Sequence, residues 1–260
     1  MIPYTGFTTI QFGPIPIYVW GLLVACGFVV GMLVAQYIAK KKKLDPNIIA
    51  NLALLAVVAG FIGARIGHVF FYDFPYYREH ILEIFALWKG GLSSFGGFIG
   101  SAMVILWWYR KHKKEAWEYF NVLAFTFPLA WGIGRIGCFL IHDHPGVCTN
   151  FFLGMEEPKG LCAARYDLGL YESIQGFLIF IIFLLLAKYS KKRDGKRYVA
   201  WLFVLYAIPR FFFDFLRISE GPLADARYFA LTPAQYGSIV VAVAGVYLLM
   251  RVRAYHGEVA

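Results

Sequence analysis

Three arginines stand in stretches that are otherwise apolar, each among small or polar neighbours. Arg135 lies in Trp131-Gly132-Ile133-Gly134-Arg135-Ile136-Gly137-Cys138, followed shortly by His142-Asp143-His144-Pro145-Gly146. Arg210 lies in Tyr206-Ala207-Ile208-Pro209-Arg210, followed by Phe211-Phe212-Phe213-Asp214-Phe215-Leu216-Arg217. Tyr206, Arg210, Asp214 and Arg217 recur at helical spacing and so share one helix face. Arg65 is the third. A guanidinium near the middle of a lipid-embedded helix costs about 2.5–3.5 kcal/mol on insertion scales. Snorkelling, or pairing with an acid such as Asp214 or Glu172, accounts for one such residue. Three together point to a shared anionic ligand.

Other groups extend that reading. Trp88-Lys89-Gly90-Gly91-Leu92-Ser93-Ser94-Phe95-Gly96-Gly97 is a Gly/Ser stretch whose backbone either cradles an anion or lets a helix approach closely. The glycines at 132, 134 and 137 carry the same ambiguity: a packing seam or room for a headgroup. Pro209 has no N–H, so it kinks its helix and frees a carbonyl beside Arg210. Tyr171-Glu172 adds a polar pair. His142, His144 and Asp143 are metal-ligand types, but two histidines and one aspartate make a sparse set. The four cysteines, Cys26, Cys138, Cys148 and Cys162, show no CxxC spacing. No metal and no cofactor is expected.

The elements that must hold these side chains are read from the apolar runs. The 260-residue chain is 60% hydrophobic and only 16% charged, whereas soluble domains carry about 25% charged residues. A helix needs about 20 apolar residues to cross the hydrocarbon. Seven stretches qualify: Ile17–Ala39, Ile48–Tyr72, Leu92–Tyr109, Tyr119–Ile141, Gly169–Lys188, Tyr198–Leu216 and Pro233–Met250. The predicted fold is an all-α integral membrane protein of about seven transmembrane helices. It forms one transmembrane domain over residues 1–260, with 73–91 and 142–168 as outer loops around the site.

The net charge of +9 is not a nucleic-acid signature, because the basic residues cluster between spans, where anionic headgroups lie. Lys40–Lys43, Arg110 with Lys111, Lys113 and Lys114, the six basic residues from Lys188 to Arg197, and Arg251 with Arg253 fall on one side. Only Arg78, Lys89, Lys159, Arg165, Arg217 and Arg227 fall on the other. The N-terminus is therefore expected outside and the C-terminus in the cytoplasm. Residues 1–14 carry no Lys or Arg, so no cleavable signal peptide of the usual form is expected. Cys148 and Cys162 share the outer loop, where an oxidising compartment allows a disulfide. The chemically capable groups all lie toward the outer leaflet, where an arginine-rimmed pocket suits an anionic phospholipid entering sideways.

In these motifs the chain resembles the bacterial prolipoprotein diacylglyceryl transferases. The resemblance spans essentially the whole sequence. It rests on the Gly/Ser segment at 90–97, Gly134-Arg135-Ile136-Gly137 with Asp143 and Gly146, Leu170-Tyr171-Glu172, and Tyr206 with Arg210, Asp214 and Arg217. It implies transfer of the diacylglyceryl group of phosphatidylglycerol to the lipobox cysteine thiol of a preprolipoprotein, just after its signal sequence. A thioether forms and glycerol 1-phosphate leaves. It also implies a bacterial inner-membrane enzyme of lipoprotein biosynthesis, with the active site toward the outer leaflet. Arg135 and Arg210 match the family arginines that engage the lipid and stabilise the leaving phosphate. Ser93, Ser94, Gly97, Asp143, Gly146, Glu172, Tyr206 and Asp214 are expected to bind substrate alongside Arg135.

The chain departs from the family pattern in three positions. Phe95 stands where the family usually has a histidine that is a candidate base, Trp20 where a tyrosine is common, and Cys138 where an asparagine is frequent. His142 or His144 is the expected replacement base, with Asp214 or Asp143 acting through the arginine network, or activation of the thiol by the arginines alone, as the alternatives. Two other functions stay open at this point. One is a non-catalytic lipid-binding or transport protein, although no internal repeat supports it. The other is a phospholipid transferase of the same fold with a different acceptor.

Overall fold

A computed structural model of the chain describes residues 1–86, 91–158, 160–189, 197–218 and 227–257. The long apolar runs fold as helices, the only spanning form in which a single segment satisfies its own backbone polar groups. In chain order, a hairpin of β1 (Thr9–Phe12) and β2 (Ile15–Tyr18) precedes α1 (Val19–Lys41), α2 (Pro46–Phe71) and the short α3 (Phe74–Glu79). Next come a 3-10 turn at Ile81–Phe85, α4 (Ser94–His112) and α5 (Lys114–Ile141). The strands β3 (Pro145–Cys148), β4 (Met155–Glu156) and β5 (Ala164–Asp167) lead into α6 (Leu168–Tyr189), α7 (Arg197–Phe213) and α8 (Pro233–Gly257).

Six of these helices are long and apolar enough to cross a membrane: α1, α2, α5, α6, α7 with its 3-10 continuation to Leu216, and α8. The helix at the third expected span, α4, opens on Ser94, Gly96 and Gly97 and closes on Arg110, Lys111 and His112. That leaves it a shorter apolar centre than the other six. The mostly helical expectation holds, with five short strands added. In the expected loop 142–168 the strands form an antiparallel sheet in the order β3-β5-β4, closed by a Cys148–Cys162 disulfide. With two to four residues each, between Pro145, Gly154 and Pro158, these strands are too short to produce a legible alternation.

Helix starts are set by local chemistry. The Asp45 side chain accepts from Asn47 N at 2.8 Å and Pro46 follows as the first helical residue of α2. Asp167 accepts from Leu170 N at 3.2 Å and so caps α6. The backbone N–H of Tyr198, in the first turn of α7, donates to Asn121 of α5 at 2.8 Å.

The described residues group into two compact units, one of residues 35–119 and one of 1–34 with 120–260. In the first, α2 and α4 cross at backbone contact. A side chain at Gly63 or Gly96 would collide with the other helix's main chain. In the second, α5 and α6 cross at Gly132 and Gly176, where a Cβ on Gly176 would lie 2.9 Å from Gly132 Cα. Ser173 donates to the Gly132 carbonyl at 2.9 Å in the same crossing, and α7 packs against both α6 and α8.

Candidate functional site

One cluster of charged residues in the second unit centres on Glu172. This carboxylate is only 2% exposed and lies on the first turns of α6. Its Oε2 stands 2.7 Å from Arg135 Nη2, and its Oε1 stands 3.8 Å from Arg210 Nε. Arg210 Nη1 donates to Asp214 Oδ1 at 2.6 Å, and Arg217 Nη1 lies 3.9 Å from the same oxygen. Asp214 is fully buried, and its second oxygen accepts from the Thr232 hydroxyl. Removing one partner from such a buried pair leaves an uncompensated charge, so each member holds the others in place.

Aromatic and amide groups complete this cluster. The Arg135 guanidinium lies over the Trp131 ring at 4.3 Å, and Trp131 meets Tyr206 edge to face at 5.8 Å. The Tyr206 phenol is within electrostatic reach of Glu172, Arg210 and Arg135. Pro209 cannot donate to the Leu205 carbonyl four residues back, and Gln175 Nε2 donates there instead, at 3.1 Å, and to the Tyr206 carbonyl at 2.9 Å. The helix turn beside Arg210 is thus braced from α6. Trp131 Nε1, Glu172 Oε2 and Gln175 Oε1 are buried without a hydrogen-bond partner among the described residues. Glu172 Oε2 makes its contact with Arg135 as an ion pair, out of line for a hydrogen bond. Trp131 Nε1 and the two arginines offer donors to an oxygen-bearing guest, whereas the two orphaned acceptor oxygens call for a donor such as a hydroxyl.

The two histidines beyond Arg135 have different surroundings. His142 is a left-handed residue (φ 53°) that ends α5. Its Nδ1 meets Asp167 Oδ2 at 2.9 Å and its Nε2 meets the Thr5 carbonyl at 3.2 Å, with the ring against Tyr4 at 4.6 Å. Both nitrogens therefore face oxygen acceptors. His144 instead sets Nδ1 on the Asp143 carboxylate and Nε2 at 3.5 Å from Arg135 Nη1. A carboxylate on one ring nitrogen fixes the tautomer that leaves a lone pair on the other. Cys138 Sγ lies 3.6 Å from the same Arg135 nitrogen. Cys138, Asp143 and His144 offer three metal-ligand atoms within 4.8 Å of one another, but Arg135 already stands against two of them. A cation entering there would meet that positive charge. Gly146 pairs with Arg217 in an isolated bridge, and a Cβ on it would lie 2.7 Å from the Leu216 carbonyl and the Tyr166 side chain. Its role in the fold is close backbone packing.

The expectation that Arg65 shares an anionic ligand with the other two arginines is corrected. Within the first unit, its Nε donates to Ile84 O at 2.8 Å and its Nη1 to Gly91 O at 3.0 Å. Nη2 donates to Glu83 O at 2.6 Å and to Ala86 O at 3.3 Å, and the Tyr77 ring lies 5.1 Å away. The guanidinium clamps the carbonyls of Glu83, Ile84, Ala86 and Gly91, contacts that account for its burial. The Ser93 hydroxyl accepts from Gly96 N at 3.3 Å, capping α4, and Gly97 packs toward Gly60 and Ala64. Trp88, Lys89, Gly90, Lys159 and the basic residues Lys191, Lys192, Arg193 and Lys196 lie outside the described residues, as do the side chains of Ser94 and Phe95.

Sequence reasoning missed four polar residues: Asp167, Gln175, Thr232 and Gln235. A signal for two of them was available, since Thr232-Pro233-Ala234-Gln235 has the Thr-x-x-Gln pattern of a capping box with proline at the first helical position. Gln175 lies one turn beyond Glu172 on α6, a spacing that a helix-face reading reaches.

Comparison with known proteins identifies a family. The family model for prolipoprotein diacylglyceryl transferase matches residues 8–251. The chain is 30% identical over 254 residues to the phosphatidylglycerol–prolipoprotein diacylglyceryl transferase of Francisella tularensis subsp. holarctica (strain FTNF002-00 / FTA), covering 96% of this chain and 94% of that relative. The enzymes of the same name from Francisella tularensis subsp. mediasiatica (strain FSC147) and subsp. novicida (strain U112) are similar to the same extent.

Proposed function

The chain belongs to the prolipoprotein diacylglyceryl transferase family, and on that premise we propose that it modifies bacterial preprolipoproteins with lipid. It is a multi-pass membrane protein and a transferase. Its donor is phosphatidylglycerol and its acceptor the lipobox cysteine thiol behind a signal sequence. It sits in the bacterial inner membrane with seven crossings, α4 being the third, its N-terminus outside and its site toward the outer leaflet. The alternation of basic and neutral connecting segments supports that orientation.

The observation that carries this reading is the pair Arg135 and Arg210 on one buried carboxylate, Glu172. The acceptor sulfur attacks the glycerol carbon that bears the phosphate ester. The S–C bond forms as the C–O bond breaks, and glycerol 1-phosphate leaves with the electron pair. Negative charge grows on the departing phosphate oxygen, which is the charge two preorganised guanidiniums stabilise. Glu172 and Asp214 keep both guanidiniums oriented before the lipid arrives. Tyr206 and the unpartnered Trp131 Nε1 supply further donors for lipid oxygens. The thiol proton goes to His144 Nε2, with Asp143 holding the other ring nitrogen. His144 thereby takes over the task of the family histidine whose position Phe95 occupies. His142 holds the end of α5 to Asp167 and is not the base.

The test uses purified protein, phosphatidylglycerol and a lipobox peptide, with thioether product followed by mass and glycerol 1-phosphate measured in parallel. Wild type is expected to form both in equal amounts. Arg135→Ala and Arg210→Ala are each expected to lose about 3–4 kcal/mol of transition-state stabilisation, the scale for one preorganised donor. Lysine rescues poorly, because it lacks the fork that spans two phosphate oxygens. Lipid consumed without peptide modification would assign another acceptor. No turnover by folded wild type, with lipid still bound, would leave a binding or transport protein.

A further inference from the structure

We infer that Thr232 is a positioning residue for Arg210, acting through Asp214, so that the first turn of α8 sets the geometry of the lipid-phosphate arginine. The inference rests on the transferase reading of that site. Thr232 N donates to Gln235 Oε1 at 3.0 Å, and Gln235 N donates to Thr232 Oγ1 at 3.2 Å, a closed capping box at the start of α8. A capping box is complete with those two bonds. Both side chains nevertheless do more. The Thr232 hydroxyl donates its proton to Asp214 Oδ2, and Gln235 Nε2 donates to the Phe211 carbonyl at 3.2 Å.

These two grips fall on the short segment that joins Arg210 to Asp214 and on Asp214 itself. Phe211 directly follows Arg210, and its carbonyl is among the last of α7, where the regular helix supplies no donor. Asp214 opens the 3-10 turn in which α7 ends, so regular helix geometry does not fix its side chain. The carboxylate is fully buried, Thr232 is 1% exposed and Gln235 is 0% exposed, so no solvent substitutes for either contact. With Oδ2 held by the hydroxyl at the N-terminus of α8, where helix dipoles favour negative charge, Oδ1 has one direction in which to meet Arg210 Nη1. Without the hydroxyl the carboxylate turns about its own bond, and Arg210 loses its fixed partner.

The experiment measures kcat and KM for phosphatidylglycerol with the full-length protein and a lipobox peptide, together with thermal melting of each variant. Thr232→Val removes the hydroxyl and keeps the shape. Thr232→Gly also removes it, while glycine is a tolerated N-cap and costs the helix only a few tenths of a kcal/mol. Both are expected to lower kcat by about tenfold, the value of a hydrogen bond to a charged group, with KM little changed. Thr232→Ser restores the hydroxyl and is expected to restore most of kcat. On an Asp214→Asn background, Thr232→Val is expected to add little, because its effect passes through that carboxylate. A purely structural role would instead lower melting temperature without the kcat loss, and a role that bypasses Asp214 would make the Thr232→Val and Asp214→Asn losses multiply; either result overturns the inference. Wild-type kcat in folded Thr232→Val or Thr232→Gly, or failure of serine to rescue, overturns the inference. Failure of the transferase reading is separate, being a wild type with no turnover.

Discussion

Substitution of the two histidines one at a time separates catalysis from architecture more sharply than any other change. His144→Gln keeps a polar side chain of similar reach but removes the nitrogen that takes a proton. Arg135, Glu172 and Arg210 are left in place, so lipid binding and leaving-group stabilisation should persist. The expected loss is about a hundredfold in kcat, the low end for a general base, since the arginines still assist thiol ionisation by electrostatics. A general base no longer acts once it is protonated, so the wild-type pH–rate profile should have an acidic limb. In His144→Gln that acidic limb should disappear. His142→Gln should do the opposite. It deprives buried Asp167 of its 2.9 Å partner and frees Thr5 from the end of α5. The cost is about 1–3 kcal/mol of stability for the orphaned carboxylate, with kcat and its pH profile kept. The assay is thioether formation at saturating lipid across pH, alongside melting curves for both variants. A His144→Gln enzyme with wild-type rate and profile would refute the assignment and leave thiol activation to the arginines. A folded His142→Gln enzyme that lost the acidic limb would exchange the two roles.

Arg65→Lys should lower the melting temperature, because one ammonium cannot serve four carbonyls spread over residues 83–91, and each buried carbonyl left over costs about 1–3 kcal/mol; unchanged stability would show that the clamp contributes nothing. A single cysteine introduced within 145–165 in a background without native cysteines should react with an impermeant reagent from outside, and one within 190–197 should not. The reverse pattern would invert the orientation.

How far the sequence could be read depends on the range of the interaction in question. Apolar runs of about twenty residues impose helices whatever they touch, and a long helix lies over each expected run, six of them long and apolar enough to cross a membrane. The pairing of Arg210 with Asp214 was legible for the same reason, since helical spacing alone brings them to one face. Glu172 could be named as a partner acid, but not that it meets Arg135, because the two lie on different helices and only the crossing at Gly132 and Gly176 brings those helices close. Arg65 misled for a related reason. A buried arginine requires acceptors, and the sequence offered no sign that main-chain carbonyls of a turn would supply them. His142 and His144 are equivalent by sequence but separate in the fold, where a left-handed residue at the end of α5 turns one to Asp167 and the next-but-one to Arg135.

Glu172 lies between Arg135 and Arg210, so its charge also bears on the proposed transfer. As the ester bond breaks in that reaction, the phosphate gains a second negative charge, and Glu172 becomes the group that resists it. Replacing Glu172 with Gln would therefore have two opposed consequences: a stronger field for the leaving group and looser orientation of both guanidiniums. The 2.7 Å contact to Arg135 is the shorter of its two, so the loss of orientation should fall first on that arginine. Because a misplaced guanidinium forfeits its stabilisation of the transition state, the orientation term governs, and Glu172 is better understood as an organiser of the arginines than as a competitor for them.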